Sequence, residues 1–189
     1  MLAKTLKEIF DSFIELDLQV WQNFSELGEV QKYPKESVIK QAYTTEKFLN
    51  ILLKGCGGNL IWNKNNFICI DISFEKDSLM DYMSFSTQKP TPIEVRLFED
   101  SEIFRISYNN FQKTFLEGNF GEKITRLTTE YSYFQKQQQQ IDLLTKTAKE
   151  RYLDLLSLNK DAMRIPLKYL ASYLGITPQS LSRIRAQKI

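Results

Sequence analysis

Seven residues between positions 120 and 141 recur at alternating intervals of four and three. They are Phe120, Ile124, Leu127, Tyr131, Phe134, Gln138 and Ile141. A period of about 3.5 residues keeps one stripe of a helix facing a partner along its length, which a helix on a globular surface does not require. The pattern predicts a long helix that pairs with a second copy of the chain; packing on its own β-domain is the alternative. Gln138 holds a core position where a polar residue can fix the register.

Short apolar runs, rich in β-branched and aromatic residues, fill the chain from Gly28 to Ser107. The predicted strands are Phe48–Leu53, Leu60–Trp62, Phe67–Ile72, Ile93–Phe98 and Glu102–Ile106. Glycine and asparagine at 54–59 and 63–66 supply tight connections. Several short strands at this spacing predict an antiparallel sandwich or barrel.

Three further segments have a helical pattern. Apolar spacing predicts one amphipathic helix over Leu2–Phe24 and a short helix within Asp77–Phe85, which Pro90 ends. After the heptad stripe the apolar residues move to another face, so a hinge or new helix begins there. Thr145, with Thr147 close behind, is the candidate N-cap. We place a domain boundary near residues 142–145.

The absence of histidine excludes more chemistry than any other feature of the composition. It removes Ser-His and Cys-His nucleophile pairs, histidine-ligated haem and the usual zinc or iron sites. Two cysteines, Cys56 and Cys69, are too few for a four-cysteine cluster in one chain, and we interpret them as buried reduced thiols. No pattern indicates carboxylate-only catalysis. We therefore expect a protein that is not an enzyme, with no catalytic residue, metal or cofactor.

The N-terminal segment and the apolar runs predict where the protein is found. No apolar stretch approaches the about 20 residues of a membrane-spanning helix. Lys4, Lys7 and Glu8 interrupt the first apolar residues, and no small-residue cleavage site follows, which argues against a signal peptide. We expect a cytoplasmic protein without a membrane partner.

The net charge of +2 is unevenly distributed. From residue 160 onward the chain has six basic residues and one acidic residue, Asp161. The net charge of this segment is therefore +5, which leaves −3 for the rest of the chain. A basic end on a mildly acidic body predicts a polyanion partner. A solvated basic tail is the alternative.

The segment Leu167–Ile184 has the spacing of a helix-turn-helix. Gly175 can take the left-handed conformation of the turn, and Thr177 followed by Pro178 suits the start of a second helix. Ala171 permits close crossing of the two helices. The apolar contacts would be Leu170, Leu174, Ile176, Leu181 and Ile184. An ordinary two-helix packing unit is the alternative.

The second helix of this segment would present a polar face. With Leu181 and Ile184 inward, a helical period turns Gln179, Ser182 and Arg183 outward. Arginine suits bidentate contact with guanine, and glutamine suits adenine, so these three residues are the predicted base-reading set. The predicted phosphate contacts are Lys168, Thr177, Arg185 and Lys188.

The order of N-terminal helix, β-region, long helix and terminal helix-turn-helix resembles Crp/Fnr-type transcription regulators over essentially the whole chain. The best local matches are Thr147–Leu153 (TAKERYL) and Ile165–Arg185 (IPLKYLASYLGITPQSLSRIR). In the family, the positions that match Gln179 and Arg183 read bases, whereas Pro178 departs from a position that often carries a contacting side chain. The resemblance implies an α+β fold with an antiparallel, jelly-roll-like β-roll sensor domain, a dimerisation helix and a winged-helix-like helix-turn-helix. We assign these to residues 1–118, 119–143 and 144–189.

The resemblance also implies a bacterial, homodimeric regulator that binds a pseudo-palindromic site on double-stranded DNA. RNA polymerase and an unidentified small-molecule effector are further partners that it implies. Family members that bind cyclic AMP carry an arginine for its phosphate, but Pro90 or Thr91 stands there in this chain. Lys89 cannot reproduce the planar fork of arginine, so cyclic AMP is disfavoured. The residues of this degenerate effector cassette are Glu75, Asp81, Ser84, Lys89 and Thr91.

Two functions from other classes stay open. One is a cupin-like β-barrel enzyme, although cupin metal centres depend chiefly on histidine. The other is a protein-interaction module that does not bind DNA. Salt-dependent DNA affinity would separate this module from a regulator.

Overall fold

The computed structural model describes residues 1–117 and 119–187, with all their side chains except those of 114–117, 119 and 120. The predicted seam residue Phe120 and the predicted phosphate contact Lys188 therefore lie outside the described side chains. The elements are α1 (Leu2–Phe10), α2 (Leu18–Glu26), β1 (Gly28–Tyr33), β2 (Val38–Lys40), β3 (Phe48–Lys54), β4 (Gly57–Asn63), β5 (Asn66–Ser73), α3 (Tyr82–Thr87), β6 (Ile93–Leu97), β7 (Ser101–Ser107), α4 (Tyr108–Glu117), α5 (Asn119–Thr145), α6 (Ala148–Leu158), a 3-10 helix (Lys160–Arg164), α7 (Leu167–Tyr173) and α8 (Pro178–Ala186).

The strands form two antiparallel sheets, in the orders β1-β7-β3 and β2-β6-β4-β5. One apolar cluster contains side chains from both sheets: Leu52 and Ile103 from the first, and Val95 and Leu97 from the second. The predicted antiparallel β-fold is confirmed, and all five predicted strands are present with small changes at their ends. We call the two sheets and α3 the roll.

The N-terminal region is not the single helix that the apolar spacing predicts. The chain leaves α1 after Phe10 and re-enters a helix at Leu18. In one continuous helix Phe10 and Trp21 would be about 16 Å apart along the axis. The break instead lets their rings stack at 5.0 Å, and the ammonium of Lys7 donates to the Leu16 carbonyl at 2.8 Å. Packing of these two rings against each other, with Trp21 buried, therefore outweighs the continuous helical spacing of the sequence.

Two predicted helix starts are also displaced. The short helix α3 begins at Tyr82, later than predicted, because the Asp81 carboxylate accepts from the Ser84 N–H and caps it. The N-cap after the long helix is Thr147, whose side chain forms a capping box with Glu150. Thr145 still belongs to α5, and its hydroxyl donates to the Ile141 carbonyl at 2.8 Å. The break therefore falls at residues 146 and 147, just past the predicted boundary.

The C-terminal part of the chain is helical. Among the described residues no strand follows Ser107, so the wing expected of a winged-helix-like domain is not found there. The helices α6, α7 and α8 share one apolar cluster with residues of the roll, including Leu60, Cys69 and Phe98. Full burial of a large apolar side chain stabilises the folded state by about 1.5–3 kcal/mol. This shared cluster therefore attaches the C-terminal helices firmly to the roll.

Candidate nucleic-acid interface

The turn between α7 and α8 has the local geometry that its residues predict. Gly175 has a φ of +68°, the left-handed conformation that glycine adopts without a side-chain clash. The Ile176 N–H then donates to the Ala171 carbonyl at 3.0 Å. At the start of α8 the Thr177 hydroxyl accepts from the Ser180 N–H at 3.1 Å, and Pro178 occupies the first helical position. These contacts fix the direction in which α8 leaves the turn.

Buried apolar residues fix the rotation of α8 about its own axis. Leu170 and Ala171 of α7 and Leu181 of α8 are fully buried, and Ile184 packs at the edge of the same cluster. Because Leu181 and Ile184 point inward, the opposite face of α8 must point outward. The structure thus presents one defined face of this helix to solvent.

That face carries the three residues predicted to read bases. Gln179, Ser182 and Arg183 are all exposed, and none of their side chains has a partner among the described residues. Arg185 differs, because it is half-buried and its Nε donates to the hydroxyl of buried Tyr152 at 3.1 Å. The two arginines of α8 are therefore not equivalent: Arg183 is available to an external partner, and Arg185 ties α8 to α6.

The predicted phosphate contacts are also in different environments. Lys168 pairs with Glu36 of the roll at 3.2 Å, and its ammonium lies 4.5 Å from the ring centre of Tyr169. Thr177 uses its hydroxyl to cap α8. Lys168, Thr177 and Arg185 thus each already make a contact within the chain.

The predicted heptad stripe on α5 has two distinct parts. Ile124 packs against the cluster formed by α1, α2 and the sheet β1-β7-β3, and Leu127 is half-buried. From Tyr131 onward the stripe is exposed: Phe134 is 61% exposed and Ile141 46%. The first part therefore fits the alternative of packing on its own β-domain, and the second part is an uncovered apolar stripe.

Contacts on the other side of α5 fix the direction of that uncovered stripe. Lys136 pairs with Asp71 of β5 at 2.7 Å, and the Gln139 amide donates to the Ile70 carbonyl at 3.3 Å. Lys136 lies about 200° around the helix from Phe134. The exposed stripe thus faces away from the roll. The side chain of Gln138, within the stripe, donates to Asp142 at 2.8 Å.

Three residues of the predicted effector cassette meet inside the roll. The ammonium of Lys40 lies 3.0 Å from the Asp81 carboxylate, and both side chains are almost fully buried. The Thr91 hydroxyl donates to the same carboxylate, and Lys40 also donates to the Ile93 carbonyl at 2.7 Å. Ser84 joins through its N–H, which donates to Asp81. Asp81, Ser84 and Thr91 therefore form a closed network with a lysine that the sequence analysis did not single out.

Glu46 is a second buried residue that the sequence analysis missed. Its carboxylate accepts from the N–H groups of Lys47 and Phe48 at 3.1 and 3.2 Å. Burial raises the pKa of Glu46 and outweighs these hydrogen bonds, which act in the opposite direction. A lysine or glutamate ordinarily indicates a surface position, so the sequence carried no signal that either Glu46 or Lys40 is buried.

Of the other two cassette residues, Glu75 lies apart from this network and Lys89 contacts it only through the main chain. Glu75 accepts from the Gly55 N–H at 2.8 Å and pairs with Arg164 at 2.7 Å. Lys89 is exposed and joins only through its carbonyl, which accepts from the Ser84 hydroxyl at 2.6 Å. The cassette is therefore only partly assembled.

The described part of the chain has no metal-binding cluster, no thiol that ionises near neutral pH and no membrane-spanning helix. Within residues 1–117 and 119–187 no cluster of three or more cysteine and acidic side chains is arranged to hold a metal ion. Burial raises the pKa of both Cys56 and Cys69 to about 12, so neither thiol is ionised near neutral pH. No described helix is both long enough and apolar enough to cross a membrane.

Comparison with known proteins identifies the fold. No family model and no curated protein matches the chain. Solved structures of Crp/Fnr-family regulators do match. The c-di-GMP responsive global regulator CLP of Xanthomonas campestris has a TM-score of 0.70 at 15% identity, over 89% of each chain. FixK2 of Bradyrhizobium japonicum has a TM-score of 0.71 at 14% identity, over 85% of this chain and 83% of its own.

A third match extends over nearly the whole chain. The match with a CooA mutant of Carboxydothermus hydrogenoformans covers 95% of this chain and 82% of the CooA chain, with a TM-score of 0.63 at 17% identity. The chain has the fold of these regulators. At such low identity the likeness concerns the fold, so the site residues must be argued from this chain itself.

Proposed function

We propose that this protein is a DNA-binding transcription regulator of the Crp/Fnr type. The observation that carries the proposal is the outward face of α8, where Gln179, Ser182 and Arg183 are exposed and without described partners. A helix held by buried apolar residues on one side, with polar side chains of this kind on the other, suits insertion into the major groove. Arg183 would contact guanine and Gln179 adenine.

The exposed stripe on α5 supports homodimerisation. Exposed apolar side chains along one face, from Tyr131 to Ile141, are the expected complement of a second copy of the same helix. Two copies joined there would place two α8 helices on half-sites about one helical turn apart, which predicts a pseudo-palindromic site. The roll would act as the sensor of an unidentified small-molecule effector. RNA polymerase would be a further partner.

Phosphate contacts would position the protein on DNA without reading sequence. Lys168 and Thr177 are the described residues that we retain for this role. We do not retain Arg185, because its guanidinium packs on Tyr152. This function requires no catalytic residue, metal or cofactor.

The experiment that tests the proposal is a selection of binding sites from random duplexes. We expect enrichment of a sequence with two related half-sites and an affinity that falls as salt rises, because phosphate contacts release counterions. The matched control is the double variant Gln179→Ala, Arg183→Ala, which changes only exposed side chains. No enrichment, or equal enrichment by this variant, would favour the interaction module.

A further inference from the structure

Helix α7 is docked on the roll through both apolar and main-chain contacts. Tyr169 is 2% exposed, and its ring stacks on that of Phe98 at a centroid distance of 4.1 Å. The Ser172 hydroxyl accepts from the Cys69 N–H at 2.9 Å and donates to the Phe67 carbonyl at 3.2 Å. This docking holds the adjacent residue Lys168 at the edge of the roll.

Glu36, in the turn between β1 and β2, lies where the docked helix meets this edge. One of its carboxylate oxygens is 3.2 Å from the ammonium of Lys168. The other accepts from the Tyr169 hydroxyl and lies 3.3 Å from the guanidinium of Arg96. Burial acts to raise the pKa of Glu36, but the hydrogen bonds from these three side chains outweigh it and lower the pKa. Glu36 is therefore an anion near neutral pH.

A second basic residue of the C-terminal segment is paired in the same way. Arg164 lies 2.7 Å from Glu75 and 3.5 Å from Glu99, both on the roll, and 3.7 Å from Asp161. Two cations that flank the start of α7 are thus neutralised by carboxylates of the roll. These contacts reduce the positive charge that the C-terminal segment presents to a polyanion.

We propose that Glu36 competes with the DNA backbone for Lys168 and so weakens DNA binding. The inference rests on the proposed function and adds an internal regulator of affinity to it. The competition does not require α7 to leave the roll, because the Lys168 side chain is 53% exposed and can turn from Glu36 towards a phosphate. The Glu36 carboxylate would also repel a phosphate that approaches Lys168. Any condition that neutralises Glu36 would therefore strengthen DNA binding.

The test compares Glu36→Gln with Glu29→Gln on a duplex of random sequence, since phosphate contacts do not depend on sequence. Glu29 is an exposed carboxylate of β1 that, among the described residues, accepts only from Gln31, so its variant removes the same charge away from Lys168. We expect Glu36→Gln to bind about two- to fivefold more tightly. We also expect the slope of log affinity against log salt to steepen by about one. Glu29→Gln should produce a smaller gain and no change of slope.

Two further measurements keep the result unambiguous. Adding Lys168→Gln to the Glu36→Gln variant should reduce the gain to that of Glu29→Gln, because no ammonium is left to release and only the loss of one negative charge remains. The reactivity of the buried Cys69 thiol should not change in Glu36→Gln, since glutamine can still accept from Tyr169 and α7 stays docked. Equal gains from both glutamate variants, or a gain above that of Glu29→Gln that survives Lys168→Gln, would overturn the inference. Wild-type protein that binds no DNA would overturn the proposed function instead.

Discussion

Polar side chains have opposite environments in the roll and on α8. In the roll, Lys40 and Asp81 are buried and pair with each other and with their neighbours. On α8, Gln179 and Arg183 are exposed and have no described partner. A buried charge must be paired to be tolerated, whereas an exposed polar side chain on a fixed helix remains available to an external ligand. The difference fits a structural role for the first pair and the binding role that we propose for the second.

The largest effect should follow from breaking the buried pair. Lys40→Met leaves the Asp81 carboxylate buried without its cation, which should lower the free energy of unfolding by about 3–5 kcal/mol in urea denaturation. The control is Arg126→Ala, which breaks the exposed pair with Glu130 on α5 and should cost less than about 1 kcal/mol. Similar small losses for both variants would mean that the interior network is not structural.

The next effect concerns the exposed stripe on α5, through which we propose that two copies of the chain pair and bring two α8 helices together. Phe134→Glu combined with Ile141→Glu should give monomers in light scattering. Loss of the second half-site contact should then weaken binding to the selected site by about a hundredfold or more. Tyr133→Glu is the control, because Tyr133 is equally exposed but lies about 100° around the helix from Phe134. A double variant that remains dimeric would show that the stripe is not the interface.

The roll and the outward face of α8 also differ in how much of their structure the sequence predicts. The strands β3 to β7 were predictable from apolar runs, but β1 carries Glu29 and Lys32 at the edge of its sheet and has no such run. The outward face of α8 followed from helical periodicity and local caps. The partners of Lys40 are 41 to 53 positions away, and Glu36 meets Tyr169 across 133 positions. Local patterns contain no information about contacts made by the tertiary fold.

A smaller effect should separate the two arginines of α8. Arg183→Ala should cost about 1–3 kcal/mol on the selected site and relax base preference at one position of each half-site. Arg185→Ala removes the hydrogen bond to Tyr152, so it should lower the stability of the C-terminal helices and leave base preference unchanged. Both variants would be measured against single-base changes of the site at two salt concentrations. Equal, sequence-independent losses would show that α8 does not read bases.

The smallest expected effect is that of cyclic AMP, which should leave the stability of the protein unchanged. Its phosphate would need a cation, yet the buried Lys40 already pairs with Asp81. The Thr91 hydroxyl donates to that same carboxylate, and Thr91 is, with Pro90, one of the two candidates for the position where cyclic AMP-binding members of the Crp/Fnr family carry arginine. A phosphate inserted there would lose its hydration beside a buried anion, which is strongly unfavourable.

A ligand at a hundredfold excess over its Kd stabilises the folded protein by about 2.7 kcal/mol, so titration calorimetry and thermal unfolding would readily detect micromolar binding of cyclic AMP. Such binding would mean that the buried network of Lys40 and Asp81 rearranges around a ligand. Polar side chains in the roll would then also be available to an external ligand, as those on α8 are.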